Sequence, residues 1–436
     1  MTTLQLWRKK AMGQSFRCEL TLPTPRRWVR EIPIVTSGDG AKVAFKLLIV
    51  FLLILYSQIA FAYKELDALR PALVIALSAI FMLVVELSQT RQNFRFMWPQ
   101  GALLIAFLAV CFVSSFSAFW PRFAFEKTTD FAKIVLIWIV IENTVTNAAR
   151  LRTVLMTMVI GGLFPAVGTI HHYVYHILRE GRATWIGVFA NANEDAYGLV
   201  ILIPIAAALA IESKWWVRVV LVCIIASYLL AIFLTYSRGG LLGVLAVVGL
   251  AGWKQKSAIV RAVMVVGLVG LLVLAGAYWQ RSQGFNDLSN DSTVTERIGT
   301  MRAGIRMFEA NPLFGIGPAC SMFAYPIYAP DEARCGCQLQ LTVHNTFVQV
   351  LSEVGILGFM PFMLLFGVSF WRAWKLQKGA LSTYATALEV ALWGFVVCGL
   401  SGGFAYTWWP YLLGVLIVAA THMSTFDPQE RFDAAN

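Results

Sequence analysis

Charged side chains are scarce in this sequence. Asp, Glu, Lys and Arg together make up 14% of the 436 residues, whereas soluble domains carry roughly 25%. Hydrophobic residues make up 58%, so a water-soluble globule of this length would lack the polar surface that it needs. The apolar residues form continuous runs, without the alternation that a transmembrane β-barrel requires. These observations exclude a soluble enzyme and a barrel, and they indicate a helical integral membrane protein.

Twelve apolar runs approach the length of about 20 residues that a helix needs to cross the hydrocarbon core of a membrane. They lie near residues 43–63, 71–90, 101–120, 133–149, 153–173, 196–212, 217–235, 240–253, 258–279, 355–373, 385–403 and 409–423. We therefore predict an all-α integral membrane fold of about 12 transmembrane helices, with one large periplasmic loop that contains short helices. The predicted divisions are an N-terminal tail (1–42), helices 1–9 (43–279), the loop (280–345), helices 10–12 (346–423) and a C-terminal tail (424–436).

The distribution of basic residues predicts the orientation. The sequence has 35 Lys and Arg against 24 Asp and Glu, and most of the basic residues fall in alternate segments that start with the N-terminal tail. Because Lys and Arg concentrate in cytoplasmic loops, both tails are expected in the cytoplasm. The first 40 residues lack an apolar core followed by a cleavage site, so we expect no removable signal peptide. Basic charge spread over membrane loops does not favour nucleic acid as a partner.

Arginine dominates the positive charge on the predicted outer side. Its planar guanidinium suits bidentate contact with phosphate, although the same positions also suit simple contact with lipid headgroups. The outer basic residues are Arg122, Lys127, Arg179, Arg182, Arg238, Arg281, Arg297, Arg302, Arg306 and Arg334.

Cysteine and histidine do not form a convincing metal site. In an oxidising compartment Cys320 is expected to pair with Cys335 or Cys337, and the sequence leaves the choice open. A zinc site would need a fourth ligand that the sequence does not place. His171, His172 and His176 cluster outside, but no acidic residue accompanies them. We therefore expect neither a metal nor a cofactor.

The predicted loop contains an amphipathic helix at residues 293–310. Apolar residues recur there at steps of three and four, while three arginines fall on other faces. Such a helix suits the outer membrane surface, with its arginines directed at headgroups or a phosphorylated lipid. A packing helix of a small outer subdomain is an equally good interpretation. The apolar positions are Val294, Ile298, Met301, Ile305 and Phe308, and the arginines are Arg297, Arg302 and Arg306.

The segment before the sixth apolar run contains two asparagines, Asn191 and Asn193. Asn193, Glu194 and Asp195 suit the N-terminus of a helix, so capping is the stronger interpretation of this segment. A role in binding the substrate is the alternative.

A compact corner joins the seventh and eighth runs at Tyr236, Ser237, Arg238, Gly239 and Gly240. The two glycines permit a tight reversal and close approach of another group. The next helix begins at once, so its N-terminal amides face the outer side beside Arg238. This combination favours an anion site, and an arginine that only reaches for headgroups is the alternative.

His344 and Asn345 stand at the outer end of a later apolar helix. A histidine with an unperturbed pKa near 6.5 titrates where a general base is useful, although periodicity alone favours a structural histidine. Glu353 lies nine residues further, on roughly the opposite face of a straight helix. We therefore expect Glu353 to bind a neighbouring segment rather than to orient His344.

Four segments in this order resemble the O-antigen ligase and polymerase superfamily. They are Gly187-x-Phe-x-Asn191-x-Asn193, then Ser237-Arg-Gly-Gly240, then Asn311-Pro-Leu-Phe-Gly-Ile-Gly317 in the long loop, and finally His344-Asn with Glu353-x-Gly-x-x-Gly358. The similarity covers roughly residues 185–360. Ala192 departs from it, because the family often has proline there.

The resemblance implies a glycosyltransferase of the bacterial inner membrane that acts in the periplasm. Its donor would be a glycan on undecaprenyl diphosphate, with no metal or nucleotide. Arg238 would then bind the diphosphate, and His344 would deprotonate the acceptor hydroxyl. Arg182, or one of the arginines at 297, 302 and 306, would supply a second phosphate contact.

Three activities compete within this interpretation. A ligase would transfer finished O-antigen to lipid A-core, and a polymerase would extend a growing polysaccharide from lipid-linked repeat units. A flippase for the same lipid would need ionisable residues within the membrane, and Glu86 and Glu389 are the nearest candidates. The sequence favours the ligase, keeps the polymerase as the alternative and gives the flippase little support.

Overall fold

The computed structural model describes residues 41–63, 65–66, 69–278, 292–329 and 340–424. The two predicted tails lie almost wholly outside these residues, as do Arg281, Arg334, Cys335 and Cys337. The α-helices in the described part are α1 Lys42–Ser57, α2 Pro71–Thr90, α3 Gln100–Phe116, α4 Pro121–Thr144, α5 Ala148–Val174, α6 Ala192–Ile211, α7 Trp215–Leu234, α8 Arg238–Lys254, α9 Ala258–Tyr278, α10 Ser292–Ala310, α11 Ser321–Tyr328, α12 Thr346–Leu376, α13 Ser382–Gly399 and α14 Trp409–Ser424.

The predicted all-helical membrane class is confirmed in its coarse form. Seven helices of the described part are long and apolar enough to cross a membrane: α2, α5, α6, α7, α9, α12 and α13. Helices α3 and α14 are apolar but shorter. Each of the twelve predicted runs coincides with a helix, but helices such as α8, with 17 residues, fall short of a full span. The count of twelve spans stays a prediction, as do the periplasmic loop and the orientation.

The helices differ strongly in how much of their surface the protein covers. Helix α14 is buried along almost its whole length from Trp409 to Ala420, and α6 is nearly as enclosed. Helix α9 is the opposite extreme, since Val263 and Val266 are 66% and 71% exposed. Exposed aliphatic surface of this extent is stable only against lipid. The bundle therefore has α6, α13 and α14 at its centre and α9 at its edge.

The predicted helix at 293–310 is confirmed as α10, but the face that it buries in the protein differs from its apolar stripe. Ile298 and Ile305 are 46% and 44% exposed, whereas Ala303 and Met307 are buried. The reason is close packing through small residues: a Cβ built at Gly304 would lie 2.7 Å from the Val348 side chain of α12. Ile298 and Ile305 of the apolar stripe are thus not covered by the protein, which does not favour the packing interpretation, and contact with the membrane surface stays a prediction.

Helix α12 is interrupted at Gly355, where φ is 63° and ψ is −168°. The preceding loop pairs with the interruption, because Gly317 N–H donates to Glu353 O (2.8 Å) and Ile356 N–H donates to Pro312 O (2.9 Å). A Cβ built at Gly355 would lie 2.3 Å from Leu313 O. Only glycine is compatible with this backbone. The segment 311–317 and the segment around Glu353 and Gly355, which the sequence analysis treated as separate motifs, therefore bind each other directly.

Glu353 binds the segment that follows this loop, as predicted. Its fully buried carboxylate accepts the Ala319 N–H at 3.0 Å and the Ser321 hydroxyl at 2.5 Å. Because a buried carboxylate is stable only when its oxygens are hydrogen-bonded, this contact fixes the start of α11 against α12. Glu353 therefore holds the outer helices in place.

Candidate active site

The corner at residues 236–240 forms a helix start. Tyr236 adopts a left-handed conformation with φ of 51°, and Ser237 caps α8, since its hydroxyl accepts the Gly240 N–H at 3.1 Å. Arg238 is thereby the first residue of α8, at the N-terminal end of the helix. The helix dipole and the guanidinium both favour an anion at this place.

The two glycines of the corner serve packing against α6. A Cβ at Gly239 would lie 2.0 Å from the Tyr197 hydroxyl, and one at Gly240 would lie 2.6 Å from the Ala196 Cβ. Close approach was predicted, but the group that approaches is a protein side chain. The glycines therefore bring α8 against α6 and place Arg238 at the helix junction.

Arg182 reaches the corner from a tight hairpin. Arg179 and Arg182 exchange two backbone hydrogen bonds of 2.9 Å around Glu180 and Gly181, both of which have positive φ. The Arg182 guanidinium donates to Thr235 O at 2.7 Å and to Asn193 Oδ1 at 2.9 Å. Through these two hydrogen bonds, Arg182 connects the hairpin to Thr235, next to the corner, and to Asn193 at the start of α6.

Asn191 and Asn193 have different roles. Asn191 Oδ1 accepts the Asn193 N–H at 2.9 Å and caps α6, which agrees with the stronger of the two sequence interpretations. Asn193 Oδ1 accepts hydrogen bonds from Arg182 and from the Ser237 hydroxyl, the latter at 2.9 Å. Asn193 thus links the hairpin to the corner.

The loop between α13 and α14, residues 400–408, was missed by the sequence analysis. Ser401 Oγ lies 2.8 Å from the Tyr197 hydroxyl, directly beneath Gly239. On its other side, Gly402 O accepts the Thr346 hydroxyl at 2.7 Å and Leu400 O accepts Asn345 Nδ2 at 3.2 Å. The loop therefore connects the corner to the segment that carries His344. The run Ser401-Gly-Gly, which repeats the small residues of the corner, was the available signal.

His344 is partly covered and has charged neighbours on α10. Its side chain is 25% exposed, and its Nε2 lies 3.9 Å from Glu296 Oε1. Burial, and then the positive charge of Arg297, lower the pKa of His344 to about 4. The imidazole is therefore neutral at pH 7, with a lone pair available to accept a proton. This pKa lies below the unperturbed value near 6.5 because the ring is buried and because Arg297 is near it, and the sequence showed neither.

Asn345 caps the helix that follows His344. Its Oδ1 accepts the N–H groups of Phe347 and Val348 at 3.0 and 3.1 Å. With Nδ2 bound to Leu400 O, both ends of the amide are used by the protein. Asn345 therefore fixes the backbone on which His344 is presented.

The three arginines of α10 are not equivalent. Arg297 interacts electrostatically with His344 and with Tyr197, so it lies near both. Arg302 is exposed. Arg306 donates to Ala329 O at 3.2 Å and so contacts the end of α11. Among the predicted phosphate ligands, the structure brings Arg297, but not Arg306, to the site.

The cysteine and histidine candidates do not gather around a metal. Among the described residues no cluster of three or more His, Cys, Asp and Glu has a metal-binding arrangement. His172 Nδ1 contacts Thr184 O at 2.6 Å, and His171 packs on the Tyr175 ring. Cys320 is a buried free thiol, and burial raises its pKa to about 11. Its predicted partners, Cys335 and Cys337, lie outside the described residues.

Comparisons with known proteins match the part of the chain that contains these residues. Residues 219–363 match the family described as O-antigen ligase, and this range contains both the corner and His344. The chain is also 22% identical over 293 residues to the exopolysaccharide production protein ExoQ of Rhizobium meliloti (strain 1021). That match covers 62% of this chain and 65% of the relative, so the chain spans slightly less than two thirds of the relative's length. Together with the four ordered segments, these matches confirm the resemblance to the O-antigen ligase and polymerase superfamily.

Proposed function

We propose that this protein is an O-antigen ligase-like glycosyltransferase of the bacterial inner membrane. It would move a glycan from undecaprenyl diphosphate to an acceptor hydroxyl of lipid A-core at the periplasmic face. One observation carries the proposal: the segment that presents the uncharged His344 is hydrogen-bonded to the loop 400–408, and Ser401 of that loop contacts the Tyr197 hydroxyl, which packs against the helix start that carries Arg238. A base and an anion site that are held by the same hydrogen-bonded segments suit glycosyl transfer from a lipid diphosphate.

The donor would bind through its diphosphate. Arg238 and the N-terminal amides of α8 supply positive charge on one side, and Arg297 supplies it from α10. Charge that develops on the diphosphate as the bond to the sugar breaks would be neutralised by these groups. Because the diphosphate is already a good leaving group, the proposal requires neither a nucleotide nor a metal.

The acceptor would be activated by His344. Its neutral imidazole takes the proton of the acceptor hydroxyl, and the oxygen then bonds to the anomeric carbon while the diphosphate oxygen departs. Glu296, which the sequence analysis did not identify, lies close enough to hold the resulting imidazolium. The 3.9 Å separation is long for a hydrogen bond, but such contacts often tighten when substrate binds.

A polymerase that extends a surface polysaccharide is the second candidate. The similarity to a protein named for exopolysaccharide production favours it. The chemistry at Arg238 and His344 would be the same, and only the acceptor would differ: a second lipid-linked glycan in place of lipid A-core.

A flippase has less support from the structure. Glu86 accepts the N–H groups of Val43 and Ala44 at 2.8 and 3.0 Å, and so caps α1. Glu389 is paired with Lys254 at 2.9 Å. Both carboxylates are therefore used in holding helices together, whereas transport coupling needs groups that exchange protons or ions.

Reconstitution in lipid vesicles tests the function directly. Purified protein would receive an undecaprenyl-diphosphate glycan together with either lipid A-core or a second portion of the same donor. Glycan appearing on lipid A-core identifies a ligase, and longer lipid-linked chains identify a polymerase. Full activity of His344→Ala in the active reaction would contradict the mechanism.

A further inference from the structure

A second cluster of charged side chains lies at the opposite end of α12 from His344. Arg372 lies in the last turns of this helix, whereas His344 directly precedes its start. There the loop before α3 and the last turns of α4 and α14 meet around Glu142, whose side chain is 1% exposed. Its carboxylate accepts the Met97 N–H at 2.5 Å and the Trp138 Nε1–H at 3.1 Å, and His422 Nε2 lies 3.3 Å away.

Two arginines, Arg95 and Arg372, lie near this carboxylate. Both interact electrostatically with Glu142. Arg372 Nη2 donates to Trp98 O at 2.7 Å, whereas Arg372 Nη1 is buried and has no acceptor among the described residues. A buried N–H without an acceptor is costly, more so on a charged group. The cluster therefore has an excess of positive charge and a donor that needs an anionic oxygen.

The surface around this cluster has the composition of a membrane interface. Trp98, Trp371 and Trp374 are 67%, 51% and 55% exposed. Lys375 Nζ lies 3.7 Å from the centre of the Trp371 ring. Tryptophans and basic side chains in this arrangement favour the level of the lipid headgroups. An anion bound there would therefore belong to the bilayer.

We propose that Arg95 and Arg372 form a binding site for the phosphate of an anionic phospholipid. A phosphate oxygen would accept the Arg372 Nη1–H. Arg95 would offset the negative charge that the phosphate adds beside the Glu142 carboxylate. The exposed tryptophans would contact the glycerol and upper acyl region. If the predicted orientation holds, this lipid belongs to the cytoplasmic leaflet. The site is separate from the residues proposed for glycosyl transfer, so the two proposals stand or fall independently.

Native mass spectrometry of the detergent-purified, delipidated full chain tests the site. Phosphatidylglycerol and phosphatidylcholine would be added in parallel to the wild type and to Arg372→Gln, Arg95→Gln and Arg261→Gln. Arg261, on α9, is the matched control because it is exposed and lies at the predicted cytoplasmic end, outside this cluster. We expect wild type and Arg261→Gln to prefer phosphatidylglycerol by about tenfold, and both cluster variants to lose that preference.

Arg372→Lys distinguishes loss of the lipid site from misfolding, because lysine keeps the positive charge but lacks the planar guanidinium. It should fold with wild-type thermal stability in detergent and still lose most of the preference. Equal retention of phosphatidylglycerol by wild type and both cluster variants would overturn the proposal. So would equal binding of the two lipids by the wild type, or displacement of phosphatidylglycerol by millimolar inorganic phosphate, which would indicate a site for free phosphate.

Discussion

At the scale of single residues, His344 determines how activity should depend on pH. A base with a pKa of about 4 remains uncharged well below neutrality. Activity should therefore persist to about pH 5 and fall as the pH drops through 4, because protonation removes the lone pair. A profile of kcat/KM against pH checks this, and loss of activity centred near 6.5 would contradict it. His344→Gln should be inactive throughout, since an amide cannot take the proton.

Glu296 provides an internal comparison in the same experiment. Removing its negative charge in Glu296→Gln leaves Arg297 unopposed beside the ring, so the fall in activity should move to still lower pH. Glu309→Gln is the matched control, because Glu309 is an exposed acid further along the same helix. An identical pH profile in both variants would exclude an effect of Glu296 on His344.

Arg238 tests whether the anion site needs a guanidinium or only a charge. Arg238→Lys should lower kcat by about 100-fold, the scale for losing one donor to a developing charge, because a point charge does not reproduce a planar bidentate contact. Arg306→Lys, on a residue that contacts α11 instead, should change kcat little. Wild-type turnover in Arg238→Lys at normal protein abundance would show that this position needs only a positive charge and not a guanidinium.

At the scale of elements, the interruption of α12 should be the most sensitive backbone position. Gly355→Ala puts a Cβ into the Leu313 carbonyl and forces a conformation that costs about 1–3 kcal/mol in non-glycine residues. The thermal midpoint in detergent should fall by several degrees or more. Gly367→Ala in the same helix is the control, since nothing lies within 4 Å of its added carbon. Equal midpoints for the two variants would show that the contact with residues 311–317 is dispensable.

The elements also show which features were accessible from sequence. The amphipathic helix and the start of α8 were predicted because periodicity and capping are local properties. The face that α10 buries was not, because Gly304 and Ala303 pack by shape, which hydrophobic periodicity does not measure. The loop 400–408 was missed for a related reason: its contacts with Tyr197 and Thr346 join residues far apart in sequence.

At the scale of the whole molecule, the orientation is open to a direct test. Single cysteines introduced at positions 302 and 256 of a cysteine-free variant should differ in reactivity toward a membrane-impermeant maleimide applied to intact spheroplasts. Position 302, on α10, should be labelled, whereas position 256, between α8 and α9, should react only after permeabilisation, because basic short loops remain cytoplasmic. Labelling of position 256 in intact spheroplasts would reverse the assignment of every outer residue.

The loop at residues 400–408 has an evolutionary consequence. One short segment is hydrogen-bonded through Ser401 to Tyr197, which packs against the corner proposed for the donor, and through Gly402 to Thr346 of the helix that follows His344. A substitution on one side is therefore expected to affect the other. Energetic effects of such substitutions are therefore non-additive. Divergence toward a new sugar or a new acceptor would be blocked at these linked positions and would proceed through side chains outside them, such as Arg302 on the exposed surface of α10.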